Sequence, residues 1–451
     1  MGELQSGEYQ YPSEFREALV ERDKKIVLDE GKLADIFIRA TNMRRWHGQM
    51  YNDEGPISDE DLKETLVHLL ITEYNRFKRI YAEADSIAKT IYYLMPTEEI
   101  KVNPYHIHLV NGTINMESGE PCFKEEMEFS PYRLPVRYDP AAKAPASFLK
   151  WLRDLLEEED IPAFQEMLGY FLLPTTKGQK AFFLIGEGGT GKSILSDVLV
   201  ALLGDAFTPI QLWKLEGNEG RFALPALENQ LVAYDDDMAS SKMTDTSTFK
   251  QIVTAKTPLL FERKGKDSYK HQPYARLVGS GNFNLGSLHD KTEGYYRRLL
   301  VFGVRSKPAN RVDDPFLGDK IRREAEGILL WSLIGLERLL ANSYRFSESP
   351  KMRELLERIR RDDDPLAEFI EDKLIFFSDT RVERSETWKA YKQFCRSNDS
   401  KTVPQKTFFD RIEKECKKHG GDLRKLSGTW TFLGMKLREV DSGIRIKGVT
   451  R

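Results

Sequence analysis

The eight residues Gly186-Glu187-Gly188-Gly189-Thr190-Gly191-Lys192-Ser193 narrow what this chain can fold into more than any other feature. They follow the short apolar run Lys180-Ala181-Phe182-Phe183-Leu184-Ile185, which reads as a buried parallel strand, and they open a helical pattern from Ile194 to Leu203. Strand, glycine-rich loop and helix in that order form the context in which a phosphate-binding loop works. Glycines let backbone N–H groups turn inward around the phosphates, and the helix N-terminus adds partial positive charge. Lys192 is placed to reach the β and γ phosphates, and the Ser193 hydroxyl to hold Mg²⁺. A glycine-rich turn that merely precedes Lys-Ser has no need of the flanking strand and helix.

Leu231-Val232-Ala233-Tyr234-Asp235-Asp236-Asp237 is an apolar run that delivers acids at its carboxyl end, where ligands gather in open α/β sheets. Adjacent strand residues point opposite ways, so one acid can hold the metal shell while its neighbour polarises an attacking water. Asp235 is assigned to metal and Asp236 to water, with a shift of one residue left open. Short apolar runs recur at 277–280 and 299–304 with helical stretches between them, which indicates an α/β core.

A chain of 451 residues exceeds what one hydrophobic core usually serves. Residues 59–96 read as helices, so residues 1–140 are expected to form an α-rich amino-terminal domain, with a small β element announced by the hairpin signal Asn111-Gly112. Helical patterns at 148–156 and 164–173 lead into a core spanning 141–310, and a helical stripe over 319–340 belongs to a segment, 311–361, that packs on it. Arg360-Arg361-Asp362-Asp363-Asp364-Pro365 is the expected linker. Beyond it, helix patterns at 366–374, 385–395 and 404–418, then alternating Thr429-Trp430-Thr431-Phe432, suggest a winged-helix module over 365–451.

No apolar run is long enough to span a bilayer, no secretory signal is evident, and the three cysteines, Cys122, Cys395 and Cys416, are odd in number and widely spaced. A reducing, intracellular and cytoplasmic setting is expected, in a host cell if the source is viral. Met1-Gly2-Glu3-Leu4-Gln5-Ser6 fits a loose acylation pattern, but no polybasic companion follows it. The formal charge of −3 conceals thirteen Lys or Arg against six Asp or Glu between 401 and 451, a tail able to meet phosphates or to serve as a solvated basic surface.

Taken together, the loop, the acid-tipped run, a basic hairpin, the run Leu277-Val278-Gly279-Ser280-Gly281-Asn282 and Tyr296-Arg297-Arg298 resemble the superfamily 3 helicases, specifically the motor half of phage, plasmid and poxvirus-type primase-helicases. The resemblance implies an AAA+-like P-loop ATPase core, ATP and Mg²⁺ as cofactors, and a homo-hexamer translocating on DNA. Asn282 then orients the hydrolytic water, since an amide donates and accepts at once. Arg298, or its neighbour Arg297, reaches the ATP of the adjacent subunit as an arginine finger. The segment from Phe261 to His271 forms a hairpin that grips single-stranded DNA in a central channel, with Lys264 and Lys266 leading and Lys270 and His271 second; phosphate contact of that kind is sequence-independent and salt-sensitive.

Asn111-Gly112-Thr113-Ile114-Asn115, Arg133-Leu134-Pro135-Val136 and Leu168-Gly169-Tyr170 look like the region ahead of the motor in that family. The 185 residues before the loop carry no evident acid pair and histidine set for nucleotidyl transfer, so helicase without primase activity is expected. His106-Ile107-His108 reads as a structural pair rather than a metal site. The competing reading is an origin-recognising initiator whose nucleotide site controls assembly, with Lys406, Arg411 and Lys414 meeting duplex DNA. A P-loop kinase or GTPase fits less well, for want of a guanine signature and of any use for the hairpin.

Overall fold

A computed structural model describes residues 13–22, 24–53, 55–98, 101–215, 217–238, 246–264, 267–282, 293–308, 312–398, 400 and 402–438. They fall into two compact units, the first made chiefly of the chain up to Met352 and the second of Arg353 onward with a short insertion that ends at Tyr296.

The centre of the first unit is a five-stranded sheet in the order Phe207–Pro209, Val232–Asp235, Arg276–Gly281, Ala181–Ile185, Leu299–Gly303, and every pairing in it is parallel. Its three inner strands are buried along nearly their whole length, which is why they read as continuous apolar runs instead of alternating ones. The four strands expected at 180–185, 231–234, 277–280 and 299–304 agree with the observed ones to within a residue at each end, and Phe207–Pro209 is a fifth that the sequence pattern did not reveal. The helix Ile194–Leu203 follows the loop as expected, and Ala146–Leu155 and Ile161–Phe171 precede the sheet.

Ile161–Phe171 crosses Ala325–Ala341 at unusually close range. A Cβ on Gly169 would fall against the Ser332 carbonyl oxygen and the Leu336 amide, and one on Gly335 against the Gln165 backbone. Two small residues thus let two backbones approach and seal the core beneath the sheet. At the far end of Ile161–Phe171, the buried Arg276 donates to the carbonyls of Phe171 and Leu173, both at 2.5 Å, and of Tyr274 at 2.9 Å. A cation over helix-terminal carbonyls satisfies groups that have no helical partner. Burial pushes its pKa down to about 10, so it stays charged near neutrality.

The helix expected over 319–340 is divided into Leu317–Arg322 and Ala325–Ala341. The break frees Glu324, whose carboxylate accepts from the amides of Ser147 and Phe148 at 2.9 Å each and caps Ala146–Leu155. The hairpin signalled by Asn111-Gly112 is present, yet Gly112 pairs with Leu109 and the turn falls on Val110-Asn111. Asn111 is held there by exchanging hydrogen bonds with the Tyr138 backbone, and Gly112, at φ +150°, lies against the Lys124 carbonyl where no Cβ would fit.

Residues 13–98 have a core of their own. Helices Glu30–Thr41, Asp59–Thr72 and Ile80–Leu94 bury Leu33, Phe37, Leu66, Leu69, Ile87 and Ile91. Ser58 and Asp61 form a reciprocal capping box at the start of the second. Short strands accompany these helices, among them Arg44–Trp46 paired with Gln49–Asn52 through a His47-Gly48 turn, both at positive φ.

In the second unit the order is Pro365–Lys373, Leu374–Glu383, Arg384–Ser397, Gln405–Lys418, Asp422–Leu426, Thr429–Leu437: helix, strand, two helices, two strands. The expected helices are present, and a strand the sequence pattern did not reveal lies between the first two. The expected linker is instead the end of a helix, Pro350–Asp363, followed at once by Asp364, whose side chain accepts from the Ala367 amide to cap the next helix. Asp364 also takes both contacts of Arg411, at 2.9 and 2.7 Å. Among the described residues no helix is long and apolar enough to cross a membrane.

Gly169→Ala is expected to lower the unfolding free energy by about 1–3 kcal/mol, because the added methyl meets backbone that cannot move aside. Thermal unfolding measures this, and an unchanged midpoint would contradict the close crossing.

Candidate functional site

Because the sheet is parallel, its carboxyl ends lie along one edge, and the loop continues directly from the strand Ala181–Ile185. Gly189 and Gly191 take φ values of +74° and +100°, the left-handed region that lets the loop double back. A cavity of about 1110 Å³ opens there, lined by Gly188 to Ile194, Asp236, Asp237, Gly281, Asn282 and, from other elements, Trp151 and Lys320. Trp151 fixes the loop by donating its indole N–H to the Gly191 carbonyl at 3.0 Å.

Lys192 is almost fully buried. Its Nζ donates to the carbonyls of Gly186 at 2.8 Å and Glu187 at 2.6 Å. Burial lowers its pKa, and the Asp237 carboxylate acts in the opposite sense. An ammonium held by loop carbonyls, with an exposed hydroxyl at Ser193 and exposed carboxylates across the cavity, offers the hard oxygen donors and the cation that a magnesium-bound polyphosphate needs.

The acids do not fall where the sequence pattern assigned them. Asp235 is buried, its carboxylate accepts from the Leu212 amide at 2.8 Å, and burial raises its pKa despite that bond. The cavity is lined by Asp236 and Asp237. Asp235 ends the strand and faces the neighbouring segment after Phe207–Pro209, whereas the next two residues have left the sheet and are free to face the loop. The two acids at the cavity are thus one residue further along the chain than the pair the sequence pattern assigned.

Asn282 reaches the cavity from the end of Arg276–Gly281, the strand between the acid strand and the loop strand. Two groups that sequence reasoning did not single out tie this edge together. The Tyr234 hydroxyl meets Ser280 Oγ at 2.7 Å, and Ser280 Oγ reaches the Asp236 carbonyl at 3.0 Å. No pattern signals this, since the partners are 46 residues apart and meet only through strand pairing.

Arg297 is exposed and Arg298 half-buried, and both precede the strand Leu299–Gly303. Leu299 pairs with Ala181, and the Arg298 carbonyl accepts from the Ala181 amide at 2.8 Å. The two arginines therefore stand at the amino edge of the sheet, roughly 16 Å of strand away from the loop at the opposite edge.

The hairpin pairs Leu259–Phe261 with Tyr269–His271. Lys264 and Lys270 are exposed, and Lys266 lies outside the described residues. His271, expected beside Lys270 as a second DNA contact, is only 4% exposed. Alternation along a strand sends Lys270 outward and His271 inward. There His271 joins His47 and Glu228, whose ligand-type atoms lie within 4.8 Å of one another. Arg263 pairs with Glu228, and the Tyr269 hydroxyl donates to the same carboxylate at 2.5 Å, so the network secures the foot of the hairpin to the turn at His47. The other histidine set is His106, His108 and Glu128, in which His106 Nδ1 contacts Glu128 at 2.6 Å and His108 is buried beside Thr113.

Residues 184–298 match a family model described as a family of unknown function, DUF5906, and residues 361–432 match one described as Poxvirus D5 protein-like. No curated protein sequence matches the chain. Among solved structures, the apo structure of the NrS-1 C terminal region (305-718) superposes with a TM-score of 0.53 at 14% identity, covering 90% of this chain and 99% of that one. Two A-form apo structures of the same region give TM-scores of 0.51 and 0.52, also at 14% identity, covering 90% and 89% of this chain and 100% and 98% of theirs. At that identity the likeness speaks for a shared fold.

Burial lowers the pKa of both His271 and His108 to about 4, from the 6.5 expected in an unfolded chain. The unfolded state therefore binds more protons between these values, and stability present above pH 6.5 is lost as the pH falls toward 4. Each histidine is expected to contribute up to about 1.4 kcal/mol per pH unit in that window. Denaturant unfolding at several pH values should give a shallower fall for His271→Gln than for the unaltered chain, and identical slopes would reject the buried neutral state.

Proposed function

We propose that this chain is the ATP-hydrolysing motor of a replicative DNA helicase related to the poxvirus-type primase-helicases, working as a ring, with six subunits the favoured number, for a phage, plasmid or mobile element. The observation that carries this reading is the division of groups between the two edges of one parallel sheet. Lys192, Ser193, Asp236, Asp237 and Asn282 converge on the cavity at the carboxyl edge, while Arg297 and Arg298 stand at the amino edge. An arginine so placed lies beyond the reach of its own nucleotide, and this supports a role toward one held by a neighbouring copy.

In this reading the loop amides and Lys192 bind the β and γ phosphates of ATP. Ser193 and Asp236 hold Mg²⁺, which supplies charge neutralisation when bound. Asp237 and Asn282 position the attacking water, the carboxylate accepting its proton and the amide orienting it. Arg298, the less exposed of the two arginines, stabilises charge on the transferring phosphoryl group from the adjacent subunit. Lys264, with Lys270 behind it, contacts the DNA backbone, and Lys266, which lies outside the described residues, is assigned the same role. The match of residues 361–432 and the helix, strand, helix, helix, strand, strand order of the second unit support a winged helix there.

The initiator reading keeps one supporting observation. Lys406 and Lys414 are exposed on the helix Gln405–Lys418, as a helix reading duplex DNA requires. Arg411 is no longer part of it, being committed to Asp364. Footprinting on element DNA against random DNA separates the two readings, since a motor alone protects no preferred site.

Lys192→Ala is expected to abolish ATP hydrolysis, and Arg298→Ala to lower turnover by about 10³-fold or more while nucleotide binding persists. Steady-state phosphate release and a fluorescent-nucleotide titration measure the two effects, and turnover retained in both variants rejects the mechanism. Mixing the two inactive proteins tests action between subunits. A Lys192→Ala subunit still lends its arginine to an Arg298→Ala neighbour, so partial recovery is expected, and none is expected if the arginine acts within its own chain.

A further inference from the structure

A second cavity, of about 750 Å³, opens beside the foot of the hairpin and is separate from the nucleotide cavity. Lys101, Lys177, Lys256 and Lys270 line it, all four exposed, and no Asp or Glu contributes to its wall. The chain carries 68 basic against 71 acidic residues, so a wall drawn at random would hold about as many carboxylates as ammonium groups. These lysines come from separate segments that only folding unites. Among the described residues none of the four forms an ion pair. Lys177 instead rests its ammonium over the Tyr105 ring at 4.6 Å and donates to the Tyr105 hydroxyl at 2.7 Å, which orients the charge without neutralising it. Trp46, half-buried and stacked on His47 at 4.4 Å between ring centroids, adds an aromatic surface to the same wall.

We propose that this cleft is a nucleic-acid contact additional to the hairpin tip, taking the phosphate backbone of a single strand on Lys101, Lys177, Lys256 and Lys270 while a base stacks on Trp46. The proposal rests on the reading of the chain as a nucleic-acid motor and extends it to a surface that reading uses only at Lys270. Lys270 is the connection. It lies on the outward face of a hairpin strand whose other face is buried with His271, so a strand leaving the tip at Lys264 follows that outward face into the cleft. A concave wall of cations interleaved with an aromatic ring suits an unstacked strand, in which base faces are accessible, rather than the outside of a duplex.

The test is fluorescence anisotropy of a labelled thirty-residue oligo-dT, and of its oligo-U counterpart, against the full chain at several salt concentrations. Lys101→Glu with Lys256→Glu is compared with Lys25→Glu and Lys32→Glu, an equal charge change on an exposed surface of the amino-terminal region. The cleft variant should bind at least tenfold more weakly than this control, and the slope of log affinity against log salt should fall by about 1.4, near 0.7 for each phosphate no longer neutralised. Lysine acetylation footprinting of the unaltered chain should show Lys101 and Lys256 protected by the oligonucleotide. If the Glu variant fails to fold, Lys101→Ala with Lys256→Ala replaces it, with the same expected fall in slope. Equal binding by cleft and control variants, or footprints confined to the hairpin tip, overturns the cleft while leaving the motor intact. Absence of both ATP turnover and oligonucleotide binding in the unaltered chain overturns the motor reading, and the cleft falls with it.

Discussion

The strand Ala181–Ile185 hydrogen-bonds in parallel along both of its edges, to Arg276–Gly281 and to Leu299–Gly303, and that double pairing decides which side chains meet at the cavity. Parallel pairing sends every strand out of the sheet in the same direction. The loop, Asn282 and the acids therefore share one edge, and the residues preceding each strand share the other. Slipping one partner by a residue would turn inward-facing side chains outward and move Asn282 away from the loop. The bond from the Ala181 amide to the Arg298 carbonyl is part of the same ladder, so the place of the arginines and the place of the glycine-rich loop follow from one set of backbone contacts.

That ladder needs support from beneath. The close crossing at Gly169 and Gly335 brings two helices near enough to fill the space under the sheet, and Arg276 ties the end of one of them to the start of the strand Arg276–Gly281. A buried arginine is costly to desolvate, and here its donors are spent on carbonyls that a helix end leaves unpaired. The positioning of Asn282 thus depends on contacts at the opposite end of its own strand.

Charge is handled differently at each place where it gathers. Lys192 turns into its own loop and Glu228 is enclosed by Arg263, Tyr269 and His47, so both ions are answered locally. The lysines beside the hairpin foot receive no such answer among the described residues. A buried ion left unanswered would be expensive, but an exposed one remains available to a polyanion.

The sequence by itself determined the pieces whose physics is local. The glycine pattern with Lys192 and Ser193 specifies a loop between a strand and a helix, because only glycine takes the φ of Gly189 and Gly191 without strain. Continuous apolar runs announced buried parallel strands, and helical spacing announced Ala146–Leu155, Ile161–Phe171 and Ile194–Leu203. Tertiary structure alone decided which acid faces the cavity, since Asp235, Asp236 and Asp237 are alike in sequence and differ only in that the first finds the Leu212 amide. It decided that His271 is buried while Lys270 is not, since a strand's two faces are equivalent until one is packed. It also decided that Asp364, which caps its own helix through the nearby Ala367 amide, pairs with Arg411, 47 residues along the chain. In each case the deciding partner lies far along the chain, where no periodicity or motif carries a trace of it.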